Sequence, residues 1–137
     1  MILLDTHVAV WFAEGDERLA SGARQIAEKA FAASQAGISP ISFWEMAMLA
    51  AKGRLRLKLP TVRWVDEFCR DSGIAILAVT PEIAVAAGEL PEGIPGDPAD
   101  RIIVATARHH GVPLLTRDRR ILAYAKAGHL QVIDARR

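Results

Sequence analysis

The chain has 137 residues, the length of one domain with a single core, so we expect residues 1–137 to form one domain. Seventeen basic and sixteen acidic residues leave a formal charge of +1, which does not identify a class of partner. One cysteine excludes an internal disulfide, and no apolar run approaches the roughly 20 residues that cross a bilayer, so we expect a cytoplasmic protein.

Short apolar runs alternate with helical patterns along the chain. Ile2-Leu3-Leu4 is typical of a strand buried on both faces, and Asp5-Thr6 then caps a helix through Trp11 and Phe12. The spacing predicts further helices at 20–33, 40–52, 61–71, 81–88, 99–110 and 119–127, and strands at 37–39, 74–79, 112–116 and 131–133. This alternation predicts an α/β fold with a mainly parallel central sheet and helices on both faces.

Two segments between these elements are irregular in pattern. Pro and Gly residues make 90–98 a loop. In 53–59, Arg54, Arg56 and Lys58 alternate with leucines, a pattern that fits either an extended segment or a loop.

Four acidic residues, Asp5, Glu45, Asp100 and Asp118, each lie where a predicted strand ends or a predicted helix begins. In a parallel α/β sheet these points share one edge, so acids far apart in sequence converge there. Clustered carboxylates repel one another unless a cation joins them, and their oxygen atoms suit Mg²⁺ or Mn²⁺. The pattern therefore predicts one metal site that acts on phosphodiesters.

Each acid also has a structural interpretation, because carboxylates stabilise helix N-termini. Asp97 fits an N-cap, with Pro98 as the first helical residue and Asp100 as the third. Ser42 and Glu45 fit a capping box. Thr6 and Thr116 add hydroxyls beside two of the acids, where they support the site or simply cap helices.

Four segments resemble PIN-domain nucleases, above all VapC-type toxins: Leu3-Leu4-Asp5-Thr6-His7, Ser42-Phe43-Trp44-Glu45, Asp97-Pro98-Ala99-Asp100-Arg101-Ile102-Ile103-Val104-Ala105-Thr106-Ala107 and Leu115-Thr116-Arg117-Asp118. The resemblance spans nearly the whole chain and implies a metal-dependent endoribonuclease inhibited by a VapB-type antitoxin. Its acidic residues match Asp5, Glu45, Asp100 and Asp118, with Asp97 as a secondary acid. Pro95-Gly96 departs from the family pattern, which often has a histidine shortly before the Asp-Pro pair.

Basic residues near these acids are candidates for RNA binding. We expect Arg101 and Arg117, each next to a proposed ligand, to contact RNA phosphates. For Arg108, Arg119 and Arg120 a solvated surface is the preferred interpretation. The basic residues of 52–58 form an edge that meets either RNA or a partner, and His7 either packs on its helix or lines the cleft.

The apolar share of 51% reflects either a rich core or a surface that a partner covers. Apolar residues spread around the helix at 40–52, and with Trp11 and Phe12 they suit a homodimer or an antitoxin contact.

Two other functions compete with the nuclease. One is a catalytically silent RNA-binding or antitoxin-binding PIN-like module. The other is an aspartyl phosphotransferase, but Asp5-Thr6-His7 lacks the second aspartate of the Asp-x-Asp-x-Thr pattern.

Overall fold

The computed structural model describes residues 1–94 and 97–137. Pro95 and Gly96, where the sequence departs from the family pattern, lie outside the described residues. The elements in chain order are β1 (Ile2–Leu4), α1 (Thr6–Ala13), α2 (Ser21–Ala32), β2 (Ala36–Ile38), α3 (Ile41–Ala51), α4 (Thr61–Ser72), β3 (Ala75–Ile76), α5 (Pro81–Gly88), α6 (Pro98–His110), β4 (Leu114–Thr116), α7 (Arg119–Ala125) and β5 (Val132–Asp134).

The five strands form one parallel sheet in the order β3-β2-β1-β4-β5. The neighbouring inner strands β1 and β4 are buried on both faces, and successive side chains of each strand point to opposite sides. Leu3 and Leu114 pair in register and face one core, whereas Leu4 and Leu115 face the other. All four leucines are fully buried, which explains why these strands read as continuous apolar runs.

Helices cover both faces of the sheet. Residues of α1 to α4 pack in the core that contains Leu4, and residues of α5, α6 and α7 pack in the core that contains Leu3. The predicted α/β class, the parallel sheet and the two helical layers are therefore confirmed. Among the described residues, no helix combines the length and apolarity that crossing a membrane requires.

Two segments differ from the sequence-based expectation at the sheet edge. The strand expected at 74–79 contains only Ala75–Ile76. These two residues pair with Gly37 and Ile38 of β2. The segment 54–59 belongs to none of the described strands; its leucines pack partly buried against the core and its basic residues are exposed. Its alternation reflects burial of one side of the segment.

The structure corrects the expected partner role of Trp11 and Phe12. Trp11 is only 7% exposed and belongs to a core cluster, and the ring of Phe12 stacks on that of Phe31 with centroids 4.7 Å apart. Trp44 on α3, in contrast, is 52% exposed. The apolar surface open to a partner therefore lies elsewhere than on α1.

Candidate active site

A cleft of about 630 Å³ lies at the carboxyl edge of the sheet. After β1 the chain continues to β2 on one side, and after β4 it continues to β5 on the other, so the connections diverge between β1 and β4. A crevice at such a divergence is the usual ligand site of an open parallel sheet. Five acids line it: Asp5, Glu45, Asp97, Asp100 and Asp118.

Asp5 follows β1 and caps α1, and both of its carboxylate oxygens are held. Oδ1 accepts the Thr6 backbone N–H at 2.8 Å, and Oδ2 accepts the Thr116 hydroxyl at 2.5 Å. The Thr116 hydroxyl in turn accepts the Asp118 N–H at 3.0 Å. Thr116 thus ties the end of β1 to the end of β4 and fixes the orientation of Asp5.

Glu45 enters the cleft from α3, and the capping-box interpretation of Ser42 and Glu45 is wrong. The helix begins at Ile41, and the hydroxyl of Ser42 accepts the Thr6 hydroxyl at 2.9 Å instead of a backbone N–H of its own helix. Ser39 supplies the cap, since its hydroxyl accepts the Ile41 N–H at 3.2 Å. Glu45 is only 7% exposed, and helix capping does not explain its burial.

Asp97 and Asp100 come from the start of α6. Asp97 is its N-cap, with Oδ1 accepting the Ala99 N–H at 2.9 Å, and Pro98 is the first helical residue, as predicted. Asp100 lies one turn in and its carboxylate faces the other acids. Asp118 similarly caps α7, where its Oδ1 accepts the N–H groups of Arg120 at 2.8 Å and Ile121 at 3.3 Å. Capping and cleft lining therefore coexist in Asp97 and Asp118.

The donor set fits a divalent cation. Glu45, Asp97 and Asp100 each present a carboxylate oxygen, and these oxygens lie within 4.8 Å of one another. Oxygen atoms at this spacing match the preference of Mg²⁺ and Mn²⁺ for carboxylate ligands. Asp5 and Asp118 line the same cleft but are outside this group of three. The structure thus brings Asp97, expected only as a secondary acid, into the same group as Glu45 and Asp100.

Three of the clustered acids have raised pKa values, because burial and neighbouring acids disfavour the charged carboxylate. Burial, followed by the charges of Asp5, Asp97 and Glu45, raises the pKa of Asp100 to about 8. Burial also raises the pKa of Asp5 and of Glu45, and the hydroxyls of Thr116 and Thr6 respectively act in the opposite direction. A bound cation would remove the repulsion that keeps protons on this cluster.

Five arginines line the same cleft as the acids: Arg18, Arg54, Arg56, Arg117 and Arg120. Arg117 was expected there, Arg54 and Arg56 belong to the predicted basic edge, and Arg120 was expected on a solvated surface. Arg18 was missed, because its place depends on the turn between α1 and α2, for which the sequence carries no signal. His7 also lines the cleft, with its ring 5.5 Å from that of Trp11.

Arg101 does not line this cleft, and its expected RNA contact needs correction. Its guanidinium donates to three backbone carbonyls: Nε to Ala87 at 2.8 Å, one terminal nitrogen to Ile94 at 2.9 Å and the other to Gly88 at 3.2 Å. Two of these carbonyls belong to the last turn of α5. Arg101 therefore fastens α5 and the following loop to α6.

Known proteins share this fold. A backbone comparison matches VapBC2 of Rickettsia felis, bound to a DNA fragment from its promoter, with a TM-score of 0.70 at 19% identity over 98% of both chains. DNA-bound VapBC of Salmonella typhimurium matches with a TM-score of 0.69 at 20% identity, over 97% of this chain and 96% of that one. A toxin-antitoxin complex of Klebsiella pneumoniae matches at 0.62 and 23%, over 98% of each chain. At these identities the likeness concerns the fold.

Sequence comparisons carry the relationship further. Ribonuclease VapC22 of Mycobacterium tuberculosis (strain ATCC 25618 / H37Rv) is 38% identical over 123 residues, which cover 90% of this chain and 91% of that protein. The family model described as PIN domain matches residues 2–127. The resemblance seen in the four sequence segments is thereby confirmed, and the chain belongs to the PIN-domain family.

Proposed function

We propose that the protein is an endoribonuclease toxin of the VapC type, inhibited by a cognate antitoxin, and that a divalent cation supports its hydrolysis of RNA phosphodiester bonds. The observation that carries this proposal is the convergence of five carboxylates and five arginines in one cleft. The family relationship to a ribonuclease supports the RNA substrate. The proposed unit is the whole of residues 1–137 as one domain, because both cores share the same sheet.

Glu45, Asp97 and Asp100 are the residues proposed to hold one or two ions, Mg²⁺ or Mn²⁺, together with Asp5 and Asp118. When bound, such an ion activates the attacking water and neutralises charge that develops on the phosphate. Asp5 holds its side of the cleft rigidly, because Thr6 and Thr116 fix its two oxygens. A carboxylate of this cluster accepts the proton that the attacking water loses. The arginines that line the cleft hold the phosphates that flank the cut.

RNA cleavage that depends on a metal ion tests this proposal. We expect the purified protein to cut single-stranded or looped RNA in Mg²⁺ or Mn²⁺ and to lose this activity in EDTA. Asp5→Asn should lower the rate by at least about 100-fold, since it weakens a contribution of several kcal/mol to the transition state. Gel analysis of a labelled RNA measures both rates.

Glu28→Gln is a matched control, because Glu28 is an exposed acid on α2, away from the cleft. It should cleave like wild type. Full cleavage in EDTA by both wild type and Asp5→Asn would refute the role of the metal site. Metal and RNA binding without any cleavage would favour the catalytically silent module.

A protein partner is the second part of the proposal. Large apolar side chains remain on the surface, among them Trp44 at 52%, Val85 at 60% and Val62 at 85% exposure. Exposed apolar area of this kind is typical of surfaces that a partner covers. We propose that the chain forms a homodimer and binds a VapB-type antitoxin, a proposal supported by its structural likeness to a toxin-antitoxin complex of Klebsiella pneumoniae.

Light scattering and co-expression check this assembly. We expect the purified chain to have the mass of a dimer, and a co-expressed antitoxin to copurify with it and suppress RNA cleavage. If the chain is monomeric and no small protein encoded beside it copurifies, the partner proposal is wrong. The high apolar share of the sequence then reflects the core alone.

A further inference from the structure

Trp11 faces two guanidinium groups at the wall of the cleft. It lies in the second turn of α1, is only 7% exposed, and lines the same cleft as the acids. The Cζ atom of Arg117 is 5.0 Å from the centre of the Trp11 ring, and that of Arg18 is 5.1 Å away. Both distances are within the range of about 6 Å in which a cation is attracted to an indole ring.

The two guanidiniums differ in what else they contact. Arg18 is neutralised by Asp16, since its Nε and a terminal nitrogen donate to both carboxylate oxygens at 2.7 to 3.2 Å. Arg117 is exposed, and within residues 1–94 and 97–137 its side chain forms no hydrogen bond or ion pair. Of this pair, Arg117 is therefore the cation with its donors open to a ligand.

The backbone of Arg117 is fixed while its side chain depends on Trp11. Thr116 before it is bonded to Asp5, and Asp118 after it caps α7. A long side chain anchored only at its backbone samples many rotamers and loses that freedom on binding a phosphate. Stacking on the indole restricts the guanidinium before RNA arrives. In this position the guanidinium forms no ion pair with the acids of the described residues that line the same cleft.

The indole of Trp11 contributes little as a hydrogen-bond donor. Its Nε1 is buried and has no hydrogen-bond partner among the described residues. A buried donor without a partner is unfavourable for folding. Core packing alone does not explain a tryptophan here, because a smaller apolar side chain would fill the core without burying an unpartnered donor. The contact of the indole ring with the two guanidiniums explains it.

We propose that Trp11 is a positioning residue for RNA binding, which holds the Arg117 guanidinium by stacking so that it contacts a phosphate beside the scissile bond. This inference rests on the proposed nuclease function and adds a role for a buried residue within it. Trp11 itself touches no substrate. Its effect on RNA passes through Arg117.

A double-mutant cycle tests this coupling. RNA binding is measured by anisotropy of a labelled single-stranded oligonucleotide in EDTA, where the proposed reaction does not proceed, for wild type, Trp11→Leu, Arg117→Ala and the double variant. We expect Trp11→Leu to weaken binding about two- to fivefold, the factor that a cation-π contact at a partly exposed site supports. In the Arg117→Ala background the same change should have no further effect. Arg117→Ala alone should lower the slope of log K against log salt by about one.

Kinetics in Mg²⁺ provide a second readout. Trp11→Leu and Arg117→Ala should both raise KM, with Arg117→Ala having at least as large an effect, and leave kcat within about twofold, because the contact orders binding more than the reacting groups. Trp64→Leu is a matched control. Trp64 is also buried, but its Nε1 donates to Glu14 at 3.0 Å and it does not line the cleft, so RNA binding should be unchanged.

Trp11→Phe keeps the cycle decisive if Trp11→Leu fails to fold. The phenyl ring removes the unpartnered donor and retains an aromatic face with weaker attraction for a cation. If changing Trp11 weakens RNA binding just as much in the Arg117→Ala background as in wild type, the inference is wrong. The proposed nuclease function still stands in that case, provided that the wild-type protein cleaves RNA. A wild-type protein that neither binds nor cuts RNA would remove both.

Discussion

Asp100→Asn is expected to lower RNA cleavage by at least about 100-fold, while the metal-free protein stays as stable as wild type or becomes more stable. The change keeps the shape of the side chain but replaces an ionisable acid with a neutral amide in the group that Asp100 forms with Glu45 and Asp97. Catalysis loses a proposed metal ligand, whereas the fold no longer has to keep a proton on a buried acid beside other acids. Cleavage rates in Mg²⁺ and thermal melting in EDTA measure the two effects.

The stability difference should depend on pH. Burial, reinforced by neighbouring acids, raises the pKa of Asp100 to about 8 from its ordinary value of 3.8, which the unfolded chain retains. Between these values the unfolded chain has released the proton and the folded protein still holds it, so metal-free wild type loses stability as pH rises. Asp100→Asn lacks this loss. The curves should nearly coincide at acid pH and separate toward pH 8 by about 1 kcal/mol, after allowance for solvent screening of the partly exposed carboxylates.

Two variants of Asp97 provide the matched controls. Asp97→Ala removes the N-cap of α6 and should cost about 1 kcal/mol of stability. Asp97→Asn keeps the cap, since asparagine caps as well as aspartate, so any loss of cleavage in it reports the proposed metal role alone. We expect its activity to be reduced but measurable. If Asp100→Asn melts at a lower temperature and yet cleaves like wild type, Asp100 is a helix-stabilising acid and the proposed metal site is wrong.

Arg101→Ala should lower the free energy of unfolding by about 2 to 4 kcal/mol, because three hydrogen bonds from a charged donor disappear and three carbonyls lose their partner. At the Gly88 carbonyl, where the contact is exposed, a water molecule takes the place of the guanidinium and reduces the loss of stability. Arg101→Lys should recover only a fraction, since an ammonium group lacks the planar geometry that reaches three carbonyls. Urea unfolding measures these differences.

The salt dependence of RNA binding separates Arg101 from Arg117. Under conditions where Arg101→Ala is folded, its slope of log K against log salt should equal that of wild type. Arg117→Ala should show the reverse pattern, with stability within about 1 kcal/mol of wild type and a smaller slope. A reduced slope in Arg101→Ala at full stability would restore Arg101 to the RNA site and contradict the role that its hydrogen bonds indicate.

These two arginines show where sequence reasoning reaches its limit. Each follows or precedes a cleft acid, so neighbourhood in sequence made them equivalent candidates. Arg101 sits on α6 at a position that points toward the end of α5, where free carbonyls attract it. Arg117 sits in the turn between β4 and α7, beside the cleft. The contacts of a long side chain depend on which element packs next to it.

Trp11 and Glu45 depended on tertiary structure in the same way. Trp11 follows the apolar pattern of α1, but only the folded chain places its ring against Arg18 and Arg117. Glu45 matched a capping box in sequence, yet the Ser39 hydroxyl accepts the Ile41 N–H and Ser42 accepts a hydrogen bond from Thr6 of α1. Local patterns describe the bonds available to a residue, and competition among distant partners selects the bond that forms.

By itself, the sequence determined the alternation of strands and helices, the two-sided burial of β1, and the N-cap of α6, because these follow from short-range periodicity and backbone geometry. It also located the acids at strand ends and helix starts, which a parallel sheet brings to one edge. Only the tertiary structure decided that Asp97 joins Glu45 and Asp100 within 4.8 Å, and that Arg101 binds carbonyls outside the cleft. The physical reason is that distances between side chains far apart in sequence depend on how helices pack against the sheet, and local periodicity contains no information about that packing.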